Sequence, residues 1–288
     1  YHYTPREYFR DNSEAVSNND RSIERIFHKS VIHTRPAPVE PSYIPDRIVR
    51  ASLSHYDKNP LYRYLCGVFG TKETLRLFNL YRIGTSAKWG GSTVFWQTDE
   101  SGKVRTGKIM LYNPATGRRV KEPQARVSWA HSELRLPDFN LRQCLFGQHL
   151  LPLYPDRTVF LVESEKSAVI AAHYMPNVLW LATGGKNGCF NIQTIDSLRG
   201  RDVILLPDLG ATDAWKDKMP MLQPACRSVA VSTMLEDMAT DEQSSQGLDI
   251  ADFLLAVPTR HQILQQMIQR NPCIRQLIDE LDLVLVED

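Results

Sequence analysis

The chain has 288 residues, of which 42% are hydrophobic and 23% are charged, a composition typical of a globular protein with one large or two ordinary domains. No apolar stretch is long enough to span a bilayer and no secretory signal opens the chain, so we expect a cytoplasmic protein without a membrane partner. Five scattered cysteines include no Cys-x-x-Cys pair, which suits a reducing compartment and gives no zinc site. The first residue, Tyr1, predicts a fragment or a processed product.

The net charge of +1 hides an uneven distribution along the chain. Residues 101–142 hold nine Lys or Arg against three acids, whereas residues 235–252 hold six acids and no base. This asymmetry favours a basic face for a polyanion and an acidic region elsewhere, although an uneven solvated surface would give the same pattern.

The N-terminal half is predicted to contain a linker, two helices and a hairpin. Residues 1–50 form an N-terminal segment whose prolines favour an extended linker. In residues 51–155 we predict two short helices between Ser52 and Asn79. The segment from Thr93 to Tyr112 is typical of a β-hairpin with a turn at Asp99–Gly102.

The C-terminal half alternates between strands and helices. Strands are predicted at 158–163, 178–183, 203–207 and 228–233, with helices at 164–175, near 192–198 and at 211–222. This alternation indicates a parallel, Rossmann-like sheet of about four strands within residues 156–258. Helices follow in residues 259–288. The predicted fold class is α/β, or α+β overall, because a small mixed α/β subdomain with basic character precedes the parallel sheet.

Two of the predicted strands end in a carboxylate. Glu163 follows the first strand and Asp208 follows the third. Ligands of open α/β sheets bind at the carboxyl ends of strands, and two acids placed there could share a hard divalent cation such as Mg²⁺. Helix capping is the alternative for both acids. Asp249 and Asp252 could add further ligands, or could be ordinary surface acids.

Phosphate-binding candidates surround these acids. Lys166 lies one turn into the helix after Glu163, where it could contact a phosphate or pair with that acid. Gly184 and Gly185 open a turn after the second strand whose backbone amides could approach a phosphate, and Lys186 and Asn187 would add donors. A plain turn would also explain the glycines.

The basic residues of the hairpin region are candidates for nucleic-acid binding. They are Lys103, Arg105, Lys108, Arg118, Arg119, Lys121 and Arg126.

The second half resembles a TOPRIM domain, the fold shared by bacterial-type DNA primases, type IA and II topoisomerases and OLD-family nucleases. The matching features are Glu163 after the first strand, the Gly184-Gly185 turn and Asp208 after the third strand. The segment from Gly247 to Leu254 is similar to the Asp-x-x-Asp-aromatic-Leu element that closes many primase TOPRIM domains. The resemblance covers about residues 60–255.

The preceding part resembles the basic subdomain of primases. Ile83–Trp89, the Phe95–Val104 hairpin and Gln143–Gly147 follow the order of similar segments there. The resemblance is closest to primase-like proteins carried by Bacteroidetes and their mobile elements, in which an N-terminal zinc ribbon would precede Tyr1. Zinc is therefore expected only in an upstream ribbon that this chain lacks.

The resemblance implies that Glu163 and Asp208 are catalytic and that they hold Mg²⁺ or Mn²⁺. The usual Asp-x-Asp is here Asp208-Leu209-Gly210, so the second acid is absent from its expected place. Asp213, about one turn further on, is expected to replace it as a metal ligand.

The implied function is metal-dependent nucleotidyl transfer that makes RNA primers during replication of a chromosome or a mobile element. Expected partners are a single-stranded DNA template, nucleoside triphosphates and a replicative helicase. Two alternatives stay open: a nucleic-acid-binding TOPRIM module without catalysis and, ranked last, a TOPRIM nuclease.

Overall fold

The computed structural model describes residues 40–185 and 188–285, and the predicted N-terminal segment therefore lies almost entirely outside the described residues. The first half of this range contains helices and an antiparallel sheet with the strand order β1-β2-β3-β4. Its elements are α1 (Asp46–Ser52), α2 (Pro60–Phe69), α3 (Thr71–Leu80), β1 (Ile83–Ser86), β2 (Ser92–Thr98), β3 (Val104–Met110), β4 (Val127–Trp129) and α4 (Ala130–Glu133).

Helices α2 and α3 confirm the prediction of two short helices, and the sequence explains where they begin and end. The Asn59 side chain accepts hydrogen bonds from the amides of Leu61 and Tyr62, so it caps α2, and Pro60 occupies the first helical position. Gly70, with a φ of 84°, ends α2 and lets α3 begin at once. The two helices bury one apolar face each.

The predicted hairpin is also present, with β2 and β3 paired from Thr93↔Met110 to Thr98↔Val104. Asp99 organises its turn, because one carboxylate oxygen accepts hydrogen bonds from the amides of Ser101 and Lys103. The other carboxylate oxygen accepts a hydrogen bond of 2.7 Å from Arg105.

The second half contains the predicted parallel sheet, with the strand order β6-β5-β7-β8 and every pair parallel. Each predicted strand is present with ends within two residues of the expected positions. The elements are β5 (Val159–Val162), α5 (Glu165–Tyr174), β6 (Leu179–Ala182), α6 (Ile192–Ile195), β7 (Asp202–Leu205), α7 (Thr212–Lys216), α8 (Met219–Leu222) and β8 (Ser228–Val231).

Five helices complete the described chain: α9 (Met234–Met238), α10 (Asp241–Gln246), α11 (Ile250–Leu254), α12 (Arg260–Arg270) and α13 (Cys273–Glu280). None of the helices within the described ranges has both the length and the apolar character of a membrane span. The chain is an α/β protein in which a mixed α/β half precedes a parallel sheet, as the sequence predicts.

One hydrophobic core joins the two sheets. The Tyr81 ring stacks on Phe146 with centroids 5.2 Å apart, and the Tyr81 hydroxyl donates to the Trp180 carbonyl over 3.0 Å. Phe146 also pairs with Ala182 of β6 through two backbone hydrogen bonds of 2.9 and 3.1 Å. The antiparallel half is therefore hydrogen-bonded directly to one edge of the parallel sheet, and it contributes residues to the same core.

Candidate functional site

An open groove with a volume of about 830 Å³ lies at the carboxyl edge of the parallel sheet. The chain that follows β3 forms one side, and the loops that follow β5, β7 and α10 form the other. The lining of the groove includes the side chains of Arg118, Arg119, Lys121, Ser164, Lys166, Asp208, Gln246, Asp249 and Asp252. The groove thus brings together the basic and the acidic segments of the sequence.

Glu163 comes directly after β5, which is one of the two inner strands of the parallel sheet. Its side chain is buried, with 8% of the residue exposed. Ser164 occupies the cap position of α5 and makes no capping hydrogen bond through its side chain. Glu163 is therefore placed ahead of the cap position, and helix capping does not account for it.

Asp208 follows β7, the strand next to β5, so the two acids lie at the same edge of the sheet. Ala211 is the residue that caps α7, which excludes the capping alternative for Asp208. Burial raises the pKa of Asp208 to about 8, with further contributions from Glu163, Asp249 and Asp252, while Lys166 acts in the opposite direction. Asp208 therefore lies near enough to Glu163, Asp249 and Asp252 for their charges to oppose its ionisation.

Asp249 and Asp252 line the groove and form a capping box at the start of α11. Each of the two side chains accepts a hydrogen bond from the other's backbone amide over 3.1 Å. The second carboxylate oxygen of Asp249 accepts a hydrogen bond of 2.6 Å from the Ser167 hydroxyl in α5. This contact connects α11 to the helix that follows Glu163.

The structure does not bring Asp213 to these acids. Gly210 adopts a φ of 78° and turns the chain, and α7 then carries Asp213 into solvent. The Asp213 side chain is 96% exposed and pairs with Lys216 over 3.2 Å. The groove lining includes Asp249 and Asp252 but not Asp213.

The acidic side of the groove fits a hard cation in its chemistry. Within residues 40–185 and 188–285, no group of three or more His, Cys, Asp and Glu side chains is arranged to hold a metal ion. Burial raises the pKa of Asp208, and the nearby carboxyl groups of Glu163, Asp249 and Asp252 raise it further; a bound divalent cation would offset both effects. Carboxylate oxygens are the donors that Mg²⁺ and Mn²⁺ prefer.

The basic side of the groove consists of Arg118, Arg119 and Lys121, all of which are exposed. Their loop packs on α2, because a Cβ atom at Gly117 would lie only 2.3 Å from the Tyr64 ring. Burial raises the pKa of Tyr64, and Asp252 adds to this effect while Arg118 opposes it. Charges on both sides of the groove therefore affect the pKa of Tyr64.

The other basic candidates lie outside the groove lining. Lys103 and Arg105 stand over the Tyr43 ring, with 4.8 and 5.0 Å to its centroid, and Arg105 pairs with Asp99. Arg126 is half-buried beside β4. These positions do not continue the basic side of the groove.

Lys108 differs most from its expected place on a nucleic-acid-binding surface. Its side chain is 11% exposed and forms an ion pair of 3.1 Å with Glu165. A second hydrogen bond of 2.8 Å reaches the Gly184 carbonyl. The alternation of β3 turns Lys108 toward the parallel sheet, because its strand partner Phe95 belongs to the shared core.

Among the phosphate-binding candidates within the described residues, Lys166 alone lines the groove. Gly184 and Gly185 adopt φ values of 82° and 136° after β6, and their turn faces Lys108 and Glu165. Lys186 and Asn187 lie outside the described residues.

Three further residues belong to the candidate site: Asp249, Asp252 and Ser167. For Asp249 and Asp252, which the sequence leaves open as ligands or surface acids, the capping-box spacing is a signal that ties both acids to one helix start. Ser167 offers no comparable signal, since its partner lies 82 residues further along the chain.

One protein-family model matches residues 59–209, just over half of the chain, and its description is Domain of unknown function (DUF6371). The matched range includes Glu163 and Asp208 and ends before Asp249 and Asp252. No curated protein matches the sequence.

Several solved structures are similar to the chain at low identity. The E. coli primase catalytic core is 13% identical with a TM-score of 0.43, covering 73% of this chain and 81% of its own. The RNA polymerase domain of Mycobacterium tuberculosis primase DnaG is 12% identical with a TM-score of 0.43, covering 70% and 80%. The primase fragment of the bacteriophage T7 primase-helicase protein is 13% identical with a TM-score of 0.36, covering 60% and 69%. Likeness at this level carries no argument about activity.

Proposed function

The chain belongs to the family described as Domain of unknown function (DUF6371), and we propose that it is a primase-type nucleotidyltransferase that makes RNA primers on single-stranded DNA. One observation carries the proposal: a single groove places Arg118, Arg119 and Lys121 beside Asp208, Asp249 and Asp252. A basic surface suits phosphate groups, and clustered carboxylates suit the divalent cation that accompanies a nucleoside triphosphate.

Each side of the groove has a distinct role in this proposal. Arg118, Arg119 and Lys121 bind phosphates of the template or of the incoming nucleotide. Glu163 and Asp208 hold Mg²⁺ or Mn²⁺, with Asp249 and Asp252 as additional oxygen donors from α11. The bound cation would neutralise the triphosphate and favour ionisation of the attacking 3′ oxygen.

The raised pKa of Asp208 has a consequence for this activity. With a pKa of about 8, the Asp208 carboxyl carries a proton in most molecules at neutral pH when the groove is empty. That proton must leave before the oxygens can serve as a ligand, so cation binding and proton release are coupled.

Primer synthesis on a single-stranded template tests the proposal. The full chain is incubated with ribonucleoside triphosphates and Mg²⁺ or Mn²⁺, and the wild type is compared with Glu163→Gln, Asp208→Asn and Asp217→Asn. Asp217 is an exposed acid outside the groove lining and serves as the matched control. We expect product from the wild type and from Asp217→Asn, and a loss of at least about 100-fold in the other two variants. Equal activity in all four proteins would contradict the assignment of Glu163 and Asp208.

The surroundings of Gly210 favour a second candidate, a nucleic-acid-binding module without catalysis. Gly210 stands where the related pattern has an acid, and a Cβ atom there would meet nothing within 4 Å. Asp213 points into solvent. This candidate predicts binding of single-stranded DNA that weakens with salt, needs no divalent cation and yields no product. Cation-independent binding together with inactive wild type would favour it over the polymerase.

A further inference from the structure

A buried ion pair joins β3 to α5, the two elements whose neighbouring residues line opposite sides of the groove. Lys108 of β3 places its Nζ atom 3.1 Å from Oε2 of Glu165, the first residue of α5, and 2.8 Å from the Gly184 carbonyl oxygen. The two side chains are 11% and 2% exposed. The contact joins the antiparallel sheet to the helix that follows β5 and to the turn that follows β6.

Each partner lies next to residues that line the groove. Lys108 precedes Met110 by two residues, and the chain then continues into the loop that carries Arg118 and Arg119. Glu165 stands between two lining residues of the acidic side, Ser164 and Lys166. A displacement of either partner would therefore move one side of the groove relative to the other.

Glu165 depends on Lys108 more than an ordinary carboxylate depends on its partner. Within the part of the chain that the structure describes, the second oxygen of Glu165 is buried and has no hydrogen-bond partner. The same holds for both polar atoms of the Gln97 side chain, and a Cβ atom at Gly184 would lie 3.2 Å from Glu165 and 3.9 Å from Gln97. Lys108 thus supplies the ionic contact that fixes this carboxylate.

Buried ion pairs contribute little net stability, because the cost of removing two charges from water offsets their attraction. Replacing both partners by uncharged residues of similar size is often neutral for stability, whereas removing one partner leaves an uncompensated buried charge. What such a pair does provide is a defined geometry, since both charged ends must meet.

We propose that the Lys108–Glu165 pair is a positioning device that sets the separation of the two sides of the groove, so that a divalent cation and a triphosphate bind cooperatively. Lys108 and Glu165 act through the residues that follow them and contact neither ligand. The inference rests on the proposed function, because it assumes that the acidic side binds the cation and the basic side binds phosphates.

Titration calorimetry on the full chain tests this role. Mn²⁺ is titrated with and without inorganic tripolyphosphate, and the ratio of the two dissociation constants gives the coupling, after correction for Mn²⁺ bound by free tripolyphosphate. The variants are Lys108→Met, Glu165→Gln and the double variant. The matched control replaces an exposed ion pair outside the groove, Arg199→Met with Asp196→Asn, whose side chains are 68% and 66% exposed.

We expect coupling of roughly 5- to 150-fold in the wild type and the control. In the double variant, coupling should fall below about twofold, while the affinity for each ligand alone stays within about threefold of the wild-type value. Thermal unfolding of the double variant serves as the check on folding. Full coupling in a folded double variant would overturn the inference.

A distance measurement keeps the test informative if Mn²⁺ does not bind to the wild type, a result that would refute the proposed cation site. Spin labels are attached at Lys121→Cys and Gln246→Cys, on opposite sides of the groove, after the less buried native thiols (Cys66, Cys226 and Cys273) are replaced by Ala. We expect a broader or shifted distance distribution in the Lys108→Met/Glu165→Gln background. Identical distributions in both backgrounds would contradict positioning, whatever the ligand.

Discussion

Ser167 and Asp249 are 82 residues apart in sequence, and the Ser167 hydroxyl donates a 2.6 Å hydrogen bond to a carboxylate oxygen of Asp249. The bond connects the first turn of α5 with the cap residue of α11. Asp249 also accepts the amide hydrogen of Asp252 through its other oxygen. The orientation of this carboxylate is therefore fixed on both sides before any ligand arrives.

The first prediction concerns this orientation. Ser167→Ala should weaken Mn²⁺ binding about tenfold, because a partner that orients a ligand has effects of that size. The measurement is calorimetric titration with Mn²⁺. Ser197→Ala removes a hydroxyl that donates to the Thr194 carbonyl over 2.7 Å and should leave the affinity unchanged. Equal affinities for both variants would show that Asp249 is not a ligand.

The second prediction concerns the pH dependence of stability. The pKa of Asp208 is about 8 in the folded chain and takes its ordinary value of 3.8 when unfolded. The folded state therefore retains a proton that the unfolded state loses between these values. The contribution of Asp208 to stability is fully present below pH 3.8 and is lost as the pH rises through 8.

Asp208→Asn removes this titration. Its free energy of unfolding should exceed that of the wild type by on the order of 2 kcal/mol at pH 9, with allowance for a half-buried site, and the difference should vanish toward pH 4. Urea unfolding in the presence of a chelator measures this. Asp217→Asn is the exposed control. A constant difference across the pH range would argue against the raised pKa.

The third prediction separates Asp249 from Asp213 as metal ligands. Mg²⁺ at 100 times its dissociation constant should stabilise the wild type by about 2.7 kcal/mol. Asp249→Asn should lose most of this increment, since the residue lines the groove. Asp213→Asn should keep it, because that side chain is 96% exposed. Thermal unfolding with and without Mg²⁺ decides the matter, and the reverse ranking would restore the sequence-based assignment.

The fourth prediction concerns the basic side of the groove. Neutralising Arg118, Arg119 and Lys121 together should reduce the salt dependence of single-stranded DNA binding by about two units in the log–log slope, since each lost phosphate contact removes about 0.7. Fluorescence anisotropy with a labelled oligonucleotide at several salt concentrations gives the slope.

A matched triple variant supplies the control for this measurement. Arg50, Arg199 and Arg227 are equally basic and are 64–78% exposed, and all three lie outside the groove lining. Their replacement by Ala should leave the slope near its wild-type value. Equal losses in the two triple variants would mean that binding follows net charge alone.

The fifth prediction tests the close approach between the two halves. Gly147 has a φ of 85°, and a Cβ atom there would lie 2.8 Å from the Leu181 side chain. Gly102 has a φ of 80° and open space around it. Both Ala variants incur backbone strain of about 1 kcal/mol, but Gly147→Ala should lose a further 1 to 3 kcal/mol, approximately, to steric overlap. Chemical unfolding compares the two, and equal losses would deny the close approach.

The strands could be predicted from the sequence because each is a short run of β-branched and aliphatic residues. Glu163 and Asp208 could be identified as candidates because each comes at the end of such a run. The pairing of β5 with both β6 and β7 places Glu163 beside Asp208, as carboxyl ends of neighbouring parallel strands require. These features depend on local pattern and on one general rule of sheets.

The remainder of the site depends on contacts between distant segments. Nothing local to Lys108 indicates that it turns inward, because a lysine among other basic residues is typical of a solvated face. Its position depends on Glu165, 57 residues away, and on the alternation of a strand whose register the hairpin turn sets. The exposed position of Asp213 could not be predicted for a related reason, since the turn at Gly210 changes the direction of the chain.

The two backbone hydrogen bonds between Phe146 and Ala182 determine how a fragment of this protein that lacks the antiparallel half would behave. They cover part of an edge strand that would otherwise offer unpaired amides and carbonyls to a neighbouring molecule. A fragment that begins after residue 155 would expose that edge together with the apolar surface that Tyr81 and Phe146 now occupy. Such a fragment should self-associate through β6, and the acids at the carboxyl edge of the sheet would have to be studied with the antiparallel half attached.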